Sequence, residues 1–248
     1  MGFEDSYQAL SVQDRINFQH ETELQRWRLL YFIAGIAAIV MLALIAVQIA
    51  VYTLWPMPKT ALAWFQLFQS NWVLGLLHLD VLYIINNTIV ALMYLAFYLS
   101  LKKKSESLML IALVCGMLAT AAYYTSNPAF EMLSLSQQFA KSAVESERAA
   151  CLAVGQALIL QWKGTAFDIY YILSAFCLII ISHVMNDSIL YGKRIAVIGL
   201  ISGLLMLIPS TAGTLGMYFA LASLVPWAVF SWLTAIRFLS LGSNKVSS

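Results

Sequence analysis

Long apolar runs separated by short polar clusters dominate the chain, and their lengths decide how it is read. A helix needs ~20 mostly apolar residues to cross the hydrocarbon layer of a bilayer. Unpaired backbone groups are too costly there, so each such run is expected to be helical. Six runs predict spans at residues 29–54, 72–101, 108–124, 166–185, 195–208 and 216–239. Pro56 and Pro58 close the first, and Lys102, Lys103 and Lys104 end the second. The fifth is short, and Pro209, Gly213 and Gly216 mark a tight hairpin into the sixth.

The remaining segments read as surface elements. Residues 11–28 are polar and helix-compatible, and 60–69 are amphipathic and aromatic through Trp64, Phe65 and Phe68, as an interfacial helix would be. Between spans three and four, residues 126–164 read as two amphipathic helices, with Ser142 and Glu145 forming a capping box at the start of the second. Part of 128–162 is apolar enough to leave a seventh span open, and Glu145, Glu147 and Arg148 argue that at least half of it lies outside lipid. The expected fold is therefore all-α: one bundle of about six transmembrane helices (29–240) with amphipathic outer helices. A polar segment (1–28) precedes the bundle and a tail (241–248) follows it.

Composition supports that class. Hydrophobic residues make up 61% and charged residues 10% of the 248 positions, against ~45–50% and ~25% in soluble domains. The first apolar run has no small-residue cleavage site after it and reads as a signal anchor. Loop charge then sets orientation. With the N-terminus cytoplasmic, Arg15, Arg26, Arg28, Lys102, Lys103, Lys104, Lys193, Arg194, Arg237 and Lys245 fall inside, and only Lys59, Lys141, Arg148 and Lys163 fall outside. Both termini are thus expected in the cytoplasm of a cell bounded by a plasma membrane.

Polar side chains inside apolar spans are expensive, so they mark candidate sites. Asp80, Tyr83, Asn87 and Tyr94 fall on one stripe of a continuous second helix, flanked by Asn86. His78 is expected on nearly the opposite side of that helix. Tyr124 and Asn127 end span three on the same outer side, Asp168 and Tyr171 begin span four there, and Glu131 opens the outer segment. Tyr94 apart, these ten residues predict a polar, aromatic-lined pocket in the outer half of the bundle, covered by 128–162. For each acid alone, solvation at the interface is the competing reading. On the inner side, His183 and Asp187 are spaced to face each other on a helix. Gly199 and Gly203 form a G-x-x-x-G whose close approach suits packing within the bundle.

Several chemistries are not encoded. Three scattered cysteines form no C-x-x-C pair, and His78 and His183 sit near opposite bilayer faces, so no metal or haem site is expected. There is no P-loop, dinucleotide fingerprint or nucleophile elbow, and no basic face for nucleic acid.

The strings His78-Leu79-Asp80, Tyr83-Ile84-Ile85-Asn86-Asn87, Ser126-Asn127-Pro128-Ala129-Phe130-Glu131-Met132-Leu133, Glu147-Arg148-Ala149-Ala150, Gly164-Thr165-Ala166-Phe167 and Pro226-Trp227 resemble a large family of uncharacterised bacterial and archaeal multipass membrane proteins. The resemblance runs from about residue 28 to 242; it implies a single six-helix domain and supplies no activity. Three functions stay open. The first is binding, sensing or passing a small lipophilic molecule, with membrane lipids as partners and no cofactor. The second is a lipid-modifying enzyme using Asp80, Glu131 or Asp168. The third is an accessory subunit of a membrane complex. Oligomeric state is not encoded.

Overall fold

The computed structural model describes residues 25–243. Positions 11–24 of the polar segment expected at 11–28, with Arg15 and His20, and Lys245 lie outside the described residues.

Among the described residues ten helices follow one another: α1 Arg28–Leu54, α2 Ala61–Ser70, α3 Trp72–His78, α4 Val81–Leu101, α5 Glu106–Ser126, α6 Ala129–Lys141, α7 Glu145–Trp162, α8 Thr165–Met185, α9 Lys193–Met206 and α10 Gly213–Gly242. Five stretches are long and apolar enough to cross a membrane: α1, α4, the run Glu106–Lys141, the run Glu145–Met185, and α10. The helix α9 has 14 residues, a length of ~21 Å at 1.5 Å per residue, short of a ~30 Å hydrocarbon layer. Its apolar sequence matches the expected fifth span, but the helix stops at Met206 with Leu207 as its C-cap, and the turn at Ile208 and Pro209 cuts it short.

Six helices form a closed ring. Each packs on the next in the order α1, α4, α5, α8, α9, α10, and α10 returns to α1. Small residues make the tightest crossings. A Cβ placed on Gly242 would meet the Phe32 backbone nitrogen at 2.6 Å, and one on Gly35 would meet Leu239 at 2.7 Å. Gly199 of the expected G-x-x-x-G lies against Ser182 and Phe230, and Gly203 against Ile179, so this motif packs α9 onto its two neighbours. The outward faces carry large apolar side chains such as Phe32, Ile36, Ile111, Val197, Leu221 and Trp232, as lipid contact requires.

The other four helices, α2, α3, α6 and α7, pack on one another and cover one end of the ring. The amphipathic 60–69 segment is α2, and its apolar side is buried: Trp64 and Phe65 join Leu79, Met132, Phe139 and Trp162 in a second core. Arg148 donates to the Phe139 carbonyl at 3.0 Å and lies 3.9 Å above that ring, fastening α7 to α6. The expected capping box of Ser142 and Glu145 is not formed, and α7 starts without a side-chain cap. Val144 is the N-cap residue of α7, and the Ser142 hydroxyl accepts from the Val144 amide, not from that of Glu145, and donates to the Glu147 carboxylate at 2.5 Å.

Candidate functional site

The expected continuous helix through residues 72–101 is broken. α3 ends at His78, and Asp80 sits at φ 60, the one non-glycine residue with positive φ among the described residues. Aspartate is among the few side chains that tolerate this left-handed conformation, so the break needs neither glycine nor proline. Around it, side chains from α1 and from the end of α5 satisfy the exposed carbonyls. Gln48 donates to Leu77 at 2.9 Å, Asn127 to Leu79 at 2.8 Å, and the Tyr123 hydroxyl to Asp80 at 3.4 Å.

The Asp80 carboxylate joins ring to cap. One oxygen accepts from the Tyr52 hydroxyl on α1, and the other accepts from the Trp162 indole at the end of α7 at 3.1 Å. Asp80 is buried. Burial pushes its carboxyl up to about 6, opposed by the Tyr52 hydroxyl, the Lys163 ammonium and the Trp162 indole. His78 is not on the opposite side from this centre, because the break turns the chain. Its ring stacks on the same Tyr52 at 6.0 Å and meets Trp64 edge-on at 6.3 Å. Its two nitrogens are buried without a hydrogen-bond partner, and burial holds its pKa below the usual imidazole value.

Just inside the ring from this knot lies a cavity of about 90 Å³. From α4 it is lined by Tyr83, Asn86, Asn87 and Tyr94, on the stripe that helical spacing assigns to the bundle interior. Tyr170, Tyr171 and Ser174 come from α8, and Ser223 and Trp227 from α10. No charged side chain is among its lining residues. Asn87 is committed, donating to the Tyr83 carbonyl at 2.9 Å. Asn86 is different: it is 5% exposed, and its carbonyl oxygen has no partner. A buried acceptor left unpaired costs about 1–3 kcal/mol, and space beside it is where a donor would sit.

The cavity stops halfway along the ring. Toward the opposite end Phe97 fills the axis, packed on Tyr191, Phe230 and Phe238 at centroid distances of 5.9, 5.7 and 4.9 Å.

The ten expected site residues thus divide. Tyr83, Asn86, Asn87 and Tyr171 line the cavity; His78, Asp80 and Asn127 belong to the knot beside it. Three fall elsewhere. Tyr124 is exposed and shares a 2.7 Å hydrogen bond with Thr88. Glu131 is exposed in a separate groove between α6 and α7. Asp168 accepts from Thr211 in the turn between α9 and α10. The expected facing of His183 and Asp187 is not formed, because α8 ends at Met185 and Asp187 instead accepts from its neighbour Asn186 at 3.1 Å. Tyr123 ends span three beside Tyr124 and Asn127, but Tyr52, Trp162 and Tyr170 are not singled out by spacing. An aromatic near a span end is their one visible signal, shared with many interfacial aromatics.

No protein-family model, curated protein or solved structure matches this chain, so the resemblance rests on the quoted strings alone.

Proposed function

We propose that the chain is a six-span plasma-membrane protein, with both termini cytoplasmic, that binds a small uncharged amphiphile in the half-ring cavity beneath the cap. The unpartnered Asn86 carbonyl in an uncharged, tyrosine-rich cavity carries this reading. An occupant that donates a hydrogen bond to Asn86 would restore the missing partner, whereas a charged one would lose its hydration without finding a counter-ion. About 90 Å³ admits a polar head of a few heavy atoms, so a tail would extend between helices. Because Phe97 and its aromatic neighbours fill the far half, binding or sensing is favoured over passage.

Orientation is supported by charge. The ring end away from the cap carries Arg28, Lys102, Lys103, Lys104, Lys193 and Arg194, matching the excess of Lys and Arg in cytoplasmic loops. The short α9 reaches across the layer if the bilayer thins locally or flanking cations extend toward the headgroups. Catalysis by Asp80 is less favoured: both its oxygens are engaged and it does not line the cavity.

The test is thermal stability of purified protein against medium-chain alcohols and monoacylglycerols, with the matching fatty acids and alkylamines as charged counterparts. Neutral donors should raise the melting temperature of the wild type and leave Asn86→Leu unmoved, while Asn86→Leu itself stays folded. Equal stabilisation of both proteins, or preference for the charged compounds, sinks the proposal.

A further inference from the structure

A second groove opens on the ring exterior at the end opposite the cap. It lies between α5, α8 and α9 and has a volume of about 440 Å³. Along its length it is apolar, with Leu108 from α5, Ile179 and Ile180 from α8, and Val197 and Leu200 from α9. At its end it turns polar through Ser182, His183 and Asn186. The Ser182 hydroxyl is 2% exposed and has no hydrogen-bond partner, although it borders this groove.

The same end is positively charged by the placement of α9. Lys193 precedes Ala196 and Val197 by three and four positions, so it stands on the groove-lining stripe one turn nearer the helix start. Arg194 follows it, and both are exposed. The first turn of α9 contains no acidic residue, and Gly192 provides no side-chain cap. Two cations at a helix N-terminus oppose the helix dipole, and an anion there would be stabilised by dipole and cations together. The nearby acids are Asp187, whose carboxylate accepts from Asn186, and Glu106 in the first turn of α5.

We infer that this groove binds one anionic phospholipid, its acyl chain lying along Ile180, Val197 and Leu200 and its phosphate at Lys193, Arg194 and His183. An apolar trough ending at uncapped amides and two cations complements a molecule with a long tail and a negative head. The inference requires the chain to lie in a bilayer and is independent of what occupies the cavity.

Delipidated full-length protein in neutral detergent, titrated with palmitoyl-oleoyl phosphatidylglycerol and, separately, with the phosphatidylcholine of the same tails, provides the test. Bound lipid is read by native mass spectrometry and by melting temperature. Phosphatidylglycerol should bind as one retained molecule and phosphatidylcholine should not. At about fivefold per cation, Lys193→Gln with Arg194→Gln should weaken binding about thirtyfold. Val197→Trp, an exposed position that the larger ring fills, should weaken it as well, whereas Lys59→Gln and Lys141→Gln on the cap should change nothing. Equal retention of both lipids (an annular lipid only), an unchanged affinity in the double variant, or saturation by inorganic phosphate alone would each overturn the assignment.

Discussion

Removing a single oxygen from Tyr52 tests whether the Asp80 knot holds ring and cap together. Tyr52→Phe keeps the ring that stacks on His78 at 6.0 Å and deletes only the hydroxyl that donates to Asp80. A hydrogen bond to a charged group contributes about 1.5–3 kcal/mol. For a chain of this length each kcal/mol moves the melting temperature ~2–4 °C, so a loss of roughly 3–12 °C is expected. Asp80→Asn should be milder. Its amide oxygen can still accept from Trp162, its NH₂ can donate to the Tyr52 oxygen, and Asn tolerates a φ of 60°. Asp80→Ala should be the worst, at about 3–5 kcal/mol, because it strands the buried Trp162 indole along with the Tyr52 hydroxyl and places alanine in the left-handed region. Differential scanning fluorimetry in one detergent ranks the three, and the Tyr52→Phe/Asp80→Asn double variant should lose less than the sum of the singles. A Tyr52→Phe protein melting within 1 °C of wild type, or Asp80→Ala no worse than Asp80→Asn, refutes the reasoning.

The same carboxyl gives a pH dependence of defined sign. Its value rises from 3.8 to about 6 on folding, so the folded state holds the extra proton, and stability from this group falls as pH rises through that window. Between pH 5 and 7 the loss is about 1 kcal/mol, visible as a lower melting temperature at pH 7, and Asp80→Asn should flatten it. Gly199→Ala places a methyl 2.4 Å from the Ser182 oxygen and 2.7 Å from the Phe230 ring, so overpacking should cost about 1–3 kcal/mol; chemical denaturation in mixed micelles measures it. Glu131→Gln should alter neither stability nor ligand response, since Glu131 is exposed and away from the cavity. A changed ligand response would place the α6–α7 groove within the binding site.

The membrane class was legible because composition and run length follow directly from what lipid tolerates. The cavity side of α4 was also legible: Tyr83, Asn87 and Tyr94 face inward because lipid would not accept them, and simple periodicity finds that stripe. The break before it was not. Nothing in His78-Leu79-Asp80 signals a left-handed residue, and the assumption of one continuous helix put His78 on the wrong side. Trp162 was invisible for a different reason. It reaches Asp80 across 82 positions of sequence, through the folding of α6 and α7 back over α3, and local spacing carries no record of such a return. Glu131 and Tyr124 show the converse: they share a bilayer depth with the site but point away from it, since depth fixes height and says nothing of azimuth.

The closed ring has a consequence for how the molecule comes into being. Around it, the helices follow in the order in which they are made, so five of the six junctions form between helices that follow one another around the ring in chain order. The sixth, α10 against α1, must wait until α10 is made, after the other five. The cavity takes Ser223, Leu224 and Trp227 from that final helix, so until it docks, the Asn86 face lies open to lipid along one flank. Quality control that senses unfinished membrane proteins would therefore meet a polar cleft until α10 is in place.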